Sequence, residues 1–410
     1  MPANIHVKVN EVDVGHLTAE KGSYLFGYNK ESVHVERHCH PDIYNDDSFP
    51  RISLTMPVRT RNYINETHLH PIFEMHLPEG YLLSVIKRHF SKLLKIDDFG
   101  LLKLISPNIK GKITYEVENE DLNHVSNVSD GEHVLLKDLL FSNNQQLFSD
   151  LVSKFALSSA LSGVQPKVMA KVMDKATLNV SDYIVKSWGD DYPQLALNEY
   201  YCMLVAKYAG ISVPEFYLSD DAKLFIMKRF DITEKKKYLS FEDMCVLQAK
   251  KCDDKYDSTY EKIAMTIKTF VSPSQKHLSL KAYFKMMVVN NLVQNGDAHL
   301  KNFGVLYSSL ENIKLAPAYD IVCTTVYIKN DIPALLMQGS KKWFNQKALL
   351  HFGMTVCNLS AKDVGLAYQE CIDAIQKVLI MLIEKIENEI DIEKIDVLKK
   401  MQYIFARGIK

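Results

Sequence analysis

Apolar and polar residues alternate along Ile5-His-Val-Lys-Val-Asn-Glu-Val-Asp-Val14, and a second such run follows at Tyr24-Leu-Phe-Gly-Tyr28. Period-two segments parted by Gly-containing turns predict a small antiparallel sheet at the start of the chain. From Phe73 to Leu94 the period becomes helical, with Leu82, Leu83, Val85, Ile86, Phe90, Leu93 and Leu94 apolar. Lys87, Arg88, Lys92 and Lys95 fall between them as the solvated face of an amphipathic helix. Tyr115 to Asn144 is acidic and polar, with few bulky residues before Val134, and reads as a linker or surface excursion.

The second half is patterned for a mixed fold. Val168–Met173 and Tyr183-Ile-Val-Lys186 read as strands. A helix is predicted from about Leu195 to Tyr208, capped by Gly210, and Lys223–Asp231 reads as a strand running into a connection. Tyr283–Val293 carries apolar residues at helical spacing, and Phe303–Tyr307 then reads as a strand. Ala361–Ala406 is rich in Leu, Ile, Lys and Glu at helical spacing, but Gly365 and uneven apolar spacing rule out a coiled coil and leave a helical lobe.

Composition narrows the picture little. The chain has 410 residues, 47% of them hydrophobic, enough for two or three domains with a sizeable core. With 49 basic and 50 acidic side chains its formal charge is -1, so nothing global calls for nucleic acid or an anionic membrane. Seven cysteines without a CxxC pair, and a start without a charged-then-apolar segment, predict a reduced cytoplasmic protein. Val378–Ile383 is too short to span a bilayer. His34, His38, Cys39 and His40 crowd together, yet no second ligand cluster at metal-site spacing accompanies them.

The chemistry concentrates in Asn295-Gly-Asp-Ala-His-Leu-Lys-Asn302 and Pro317-Ala-Tyr-Asp320. Asp297 and Asn302 keep the Asp-x-x-x-x-Asn spacing of a kinase catalytic loop, and Asp320 supplies a second carboxylate where a metal-binding Asp follows. A nucleophilic hydroxyl needs a carboxylate to orient it and take its proton, the role expected of Asp297. Magnesium prefers oxygen ligands, which Asn302 and Asp320 can offer. Taken singly, Gly-Asp is also an ordinary turn and Tyr-Asp an ordinary strand end. A polar, titratable loop between a buried helix and a buried strand favours the active-site reading. Upstream, the small residues of Ser158–Lys167, among them Ser162, Gly163, Val164 and Gln165, suit a loop whose amides close over phosphates beside Lys167, although a plain turn fits too. Tyr183–Lys186 is similar to the Val-Ala-Ile-Lys strand of kinases, and Glu199 stands where a partner for Lys186 can lie.

These blocks, with Asn198–Tyr201, Lys228-Arg-Phe-Asp231, Glu242–Cys245, Leu54–Pro57 and Phe73–Glu79, resemble in order those of the HipA-type serine/threonine kinases, toxin components of bacterial toxin–antitoxin pairs. The resemblance covers most of the chain. It implies an α+β, two-lobed protein-kinase-like fold with an extra N-terminal β-containing subdomain (1–114), a linker (115–150), a kinase N-lobe (151–240) and a helical C-lobe (241–410). It implies ATP and Mg2+ as cofactors, Asp297 as the catalytic Asp, Lys186 as the nucleotide-phosphate Lys, and Asn302 and Asp320 as metal ligands. Lys228, Arg229 and Phe230 would form the adenine hinge, with His299 near the nucleotide.

The same resemblance implies a protein substrate, notably an aminoacyl-tRNA synthetase, and a small helix-turn-helix antitoxin that itself binds operator DNA, with no membrane partner. Family members often autophosphorylate a Ser three residues before the loop Gly. Here that position is Ala160, which leaves Ser162, then Ser158 or Ser159, as the modified residue. Two other readings compete: a small-molecule phosphotransferase using the same loop, and a catalytically idle antitoxin-binding partner. Retention of Lys186, Asp297, Asn302 and Asp320 together argues against the idle form.

Overall fold

The computed structural model describes residues 4–20, 22–38, 50–80, 83, 97–117, 133–141, 167–174 and 179–409. The N-terminal module is a five-stranded antiparallel sheet in the order β4-β3-β2-β1-β5, from β1 (Asn4–Val9), β2 (Val12–Glu20), β3 (Ser23–Tyr28), β4 (Tyr63–Asn65) and β5 (Ile113–Val117). The single run expected over Ile5–Val14 is two strands. Asn10 and Glu11 both take positive φ, 48° and 65°, and make a two-residue hairpin turn. The usual Asn-Gly signature is missing, so the alternation reads straight through the turn. Ile5, Val7 and Val9 point inward from β1. Of the helix expected over Phe73–Leu94, Pro71–Glu74 forms a short turn, and most of the remainder lies outside the described residues.

A second sheet, in the order β6-β7-β8-β10-β9, is built from β6 (Val134–Leu135), β7 (Lys167–Asp174), β8 (Asn179–Lys186), β9 (Phe216–Leu218) and β10 (Phe225–Lys228). β6 pairs in parallel with β7, and helix Leu136–Leu140 follows it. This part of the stretch expected as linker therefore joins the sheet. Its apolar run begins at Val134, too short to stand out from the acidic residues before it.

Pairing register fixes the two faces of this sheet, because cross-strand partners share a side. Lys186 opposes Phe225 and Lys167, while Ile184 opposes Met227 and Met169. Val185, Ile226, Val168 and Val172 face the other way and share one buried core with the N-terminal sheet. Phe225 and Met227 instead join the core of the helical lobe.

Helix Leu195–Tyr208 lies against this second face and ends as expected at Gly210, whose φ is +70°. Ile211 N donates to Ala206 O, and Gly210 N to Lys207 O, bonds that satisfy the last carbonyls of the helix. The helical lobe is centred on Pro273–Leu292, flanked by Tyr260–Phe270, Gln346–Thr355, Ala361–Asn388 and Ile392–Gly408. Ser360 and Asp391 cap the last two, so the long periodic run breaks into two helices at Glu389–Asp391. A third sheet, β11 (Ser240–Asp243), β12 (Gly304–Tyr307) and β13 (Ile313–Leu315), carries the residues that follow the Asn295–Asn302 loop. Among the described residues no helix is long and apolar enough to cross a membrane.

The N-terminal module is tied to this body by buried polar contacts. Glu242 accepts from Ser53 Oγ (2.6 Å), the Leu54 amide (2.9 Å) and Tyr307 Oη (2.5 Å). Arg229 donates to Lys110 O (3.0 Å).

Candidate active site

Helix Pro273–Leu292 delivers the chain to the loop, and Gln294, at φ 53°, turns it. Asn295 fastens the turn from inside: its amide donates to Asn290 Oδ1 (2.8 Å), and its carbonyl oxygen accepts from the Asp297 amide (3.1 Å). From outside, Thr324 Oγ1 accepts from Gly296 N (2.7 Å) and donates to Asp331 Oδ2 (2.5 Å). A Cβ at Gly296 would collide with both side chains, so only glycine lets this latch close.

The result is a carboxylate, Asp297, facing a cavity of about 910 Å³ between the second sheet and the helical lobe, near the upper end of the ~300–1,000 Å³ common for ligand pockets. Burial raises its carboxyl above the ordinary range, and a hydrogen bond from Tyr256 Oη (2.6 Å) tempers the rise. His299 Nε2 stands 4.0 Å away. Burial pushes His299 down to about 3, so it faces Asp297 as a neutral imidazole at neutral pH.

At the sheet wall, Lys186 Nζ lies 2.6 Å from Glu199 Oε1 and 2.6 Å from Asp320 Oδ1. Burial works against its charge, yet the two carboxylates hold the ammonium above the usual lysine range. Asp320 shows the converse. Burial alone would raise its carboxyl, but Lys186 and Lys167 hold it well below the usual range. Burial pushes Glu199 up to about 7 in spite of Lys186.

Asp320 also sits at φ 60°, a left-handed conformation that Asp tolerates better than most side chains. Backbone strain of this kind clusters where geometry matters to function. Asn302 Nδ2 donates to Asp320 O (3.2 Å), which brings the amide and the carboxylate side by side. Asn302 Oδ1 is buried without a hydrogen-bond partner among the described residues. An unpaired buried acceptor beside a carboxylate held ionised suits a hard divalent cation, and Lys167 and Lys186 on the same sheet face suit phosphates.

The expected hinge residues divide. Arg229 and Phe230 line the cavity. The Arg229 guanidinium is taken up by Asp231 (2.9 and 2.6 Å), and the Phe230 ring stacks on Tyr319 with centroids 5.4 Å apart. Lys228 is different. It opposes Tyr183 on the face turned from the cavity, and its ammonium meets Glu215 at 3.4 Å on the surface, so its side chain does not enter the site. The alternation of a strand forbids Met227 and Lys228 from both facing inward.

Ser158, Ser159, Ser162, Gly163, Val164 and Gln165 lie outside the described residues, as do Cys39 and His40. Among the described residues no cluster of His, Cys, Asp and Glu is arranged to hold a metal.

The structure adds site residues that sequence reasoning missed. Glu79, from the N-terminal module, reaches Lys301 and Lys255 (3.4 Å) beside the Asp297 loop. Tyr256, Thr324 and Asp331 were also unmarked. None has a local pattern to betray it, since Tyr256 and Thr324 act on residues 41 and 28 positions away and Asp331 acts through Thr324.

The lobes, the Lys–Glu–Asp arrangement and the loop define a kinase-like protein. The HipA N-terminal domain matches residues 5–116 and the HipA-like C-terminal domain residues 159–382, and the chain belongs to the HipA family. A Haemophilus influenzae protein named "Putative kinase" is 31% identical over 188 residues, which are 41% of this chain; the chain spans about half, 53%, of that relative's length. A Sinorhizobium fredii protein named "Putative kinase Y4dM" is 26% identical over 348 residues, 79% of this chain and 78% of the relative. Among solved structures, the Shewanella oneidensis MR-1 toxin–antitoxin complex of HipA, HipB and operator DNA contains a chain with the same fold. Its TM-score is 0.67 at 17% identity, covering 98% of this chain and 96% of that one.

Proposed function

We propose that this chain is an ATP- and Mg2+-dependent protein serine/threonine kinase of the HipA toxin type. Its substrate would be a translation component such as an aminoacyl-tRNA synthetase, and a helix-turn-helix antitoxin would restrain it, with DNA reached only through that antitoxin. The observation that carries this reading is that Asp297, Asn302, Asp320 and Lys186 border one cavity, with Glu199 paired to Lys186 behind its wall. Asp297 orients the acceptor hydroxyl and takes its proton as the hydroxyl oxygen bonds to the γ-phosphorus and ADP departs. Lys186, fixed by Glu199, faces the phosphates with Lys167. Asn302 and Asp320 would hold Mg2+, which when bound neutralises phosphate charge. Arg229 and Phe230 flank the adenine end, where the Lys228 backbone, not its side chain, would take part.

The Shewanella relative was solved with HipB and operator DNA, which supports an antitoxin partner of the same kind. Ser162, or else Ser158 or Ser159, is the proposed autophosphorylation site. A phosphate there carries about -1.5 to -2 charges and would compete with ATP for the loop amides and Lys167.

The test is labelling of cell extract from [γ-32P]ATP by the purified chain, with Asp297→Asn as control. A labelled protein band that needs Asp297 is the expected result. Label confined to small molecules would replace this reading with a small-molecule phosphotransferase.

A further inference from the structure

Tyr256 ends a short 3-10 helix, Cys252–Tyr256, at the edge of the cavity. Its hydroxyl donates to Asp297 Oδ1 at 2.6 Å, and its ring meets His299 edge-on with centroids 5.1 Å apart. This is the contact that a general base makes with the hydroxyl it is about to deprotonate. A phenol is more acidic than an alcohol and donates a stronger hydrogen bond to a carboxylate, so it competes well with serine or threonine for the same oxygen.

The segment that carries Tyr256 is gripped by the N-terminal module. Glu74 Oε2 accepts from Cys252 N (2.8 Å), Glu79 Oε1 accepts from Cys252 Sγ (2.5 Å), and Glu79 Oε2 lies 3.4 Å from Lys255 Nζ. Two carboxylates from a distant part of the sequence thus hold the tyrosine over the catalytic carboxylate.

We propose that Tyr256 is an internal substrate mimic: its hydroxyl fills the acceptor position at Asp297, and a serine- or threonine-bearing protein must displace it to be phosphorylated. The inference rests on the kinase reading of Asp297 given above. It assigns the N-terminal module a part in control, because whatever loosens Glu74 and Glu79 from Cys252 and Lys255 releases the mimic. It also predicts that the resting enzyme turns over ATP poorly, since the tyrosine occupies the carboxylate oxygen that would otherwise orient a water or a substrate hydroxyl.

Phosphate release from ATP by the full-length chain, without any acceptor, reads this directly. Tyr256→Phe keeps the ring against His299 and removes only the hydroxyl, so folding is preserved. Release is expected to rise about tenfold, the change in occupancy that losing one hydrogen bond to a charged group gives. Asp297→Asn and the double variant are expected to be inactive, and mass spectrometry of the parent after incubation with ATP to show Tyr256 unmodified. If Asp297→Asn is inactive but Tyr256→Phe stays within twofold of the parent or falls below it, the mimic is wrong and the kinase reading stands. Stoichiometric phosphate on Tyr256 would make it an acceptor and would also overturn the mimic. Full turnover by Asp297→Asn would overturn both readings together.

Discussion

Lys186 Nζ stands 2.6 Å from Asp320 Oδ1 across a gap of 134 residues in sequence, and this ion pair joins the second sheet to the segment after the Asn295–Asn302 loop. Glu199 completes the arrangement from helix Leu195–Tyr208. Lys186→Met would leave two carboxylates facing each other in a buried space. Breaking a buried pair costs about 3–5 kcal/mol, which urea unfolding at neutral pH should record. With Lys186 gone, burial acts on Glu199 without its main counter-charge and holds its carboxyl further above the unfolded value, so the variant regains stability relative to the parent as pH falls from 7.5 to 5.5. A constant difference across that range would show that the carboxylates are solvated instead.

Asp297→Asn should leave ATP binding largely intact while removing transfer, because an amide cannot accept the hydroxyl proton. Loss of a general base typically costs a factor of about 10² to 10⁴. The comparison is nucleotide affinity by calorimetry against transfer rate. Turnover within twofold of the parent would remove Asp297 from this role.

For Asp320 the expected signature is conditional. If its carboxylate acts through Mg2+, Asp320→Ala weakens nucleotide binding when the metal is present and changes it little in EDTA. Equal losses in both conditions would assign Asp320 to the Lys186 pair alone, as a structural anion.

The elements that frame the site were legible because each has a strong local signal. The Leu195–Tyr208 helix has its Gly210 cap, and the Asp297 loop has its fixed spacing between an apolar helix and an apolar strand. The Asn10–Glu11 turn was hidden because Asn and Glu take positive φ there without glycine. Lys228 was grouped with its neighbours since a motif records adjacency and ignores which side of the strand each residue faces. Glu79 and Tyr256 come to the loop from 222 and 41 residues away. Only tertiary packing of the N-terminal module brings them there, so no periodicity announces them.

Burial of histidine should make the fold acid-sensitive. His70 and His76 are each pushed down to about 4 and His299 to about 3, in every case chiefly because burial disfavours the imidazolium. The folded values lie below the ordinary value near 6.5, so the unfolded chain binds more protons between them. The contribution of these three histidines is therefore complete above about pH 6.5 and declines as pH falls toward 4. Each fully coupled histidine contributes at most about 1.4 kcal/mol per pH unit. His70 isolates the effect, because its ring packs edge-on against Tyr63 and Phe73 and its Nδ1 is buried without a hydrogen bond among the described residues. Phenylalanine can keep that packing and cannot be protonated. Urea unfolding at pH 7.5, 6.5 and 5.5 should show His70→Phe losing about 1 kcal/mol less than the parent over the last step. Parallel curves would mean that His70 charges in the folded state as readily as in the unfolded one.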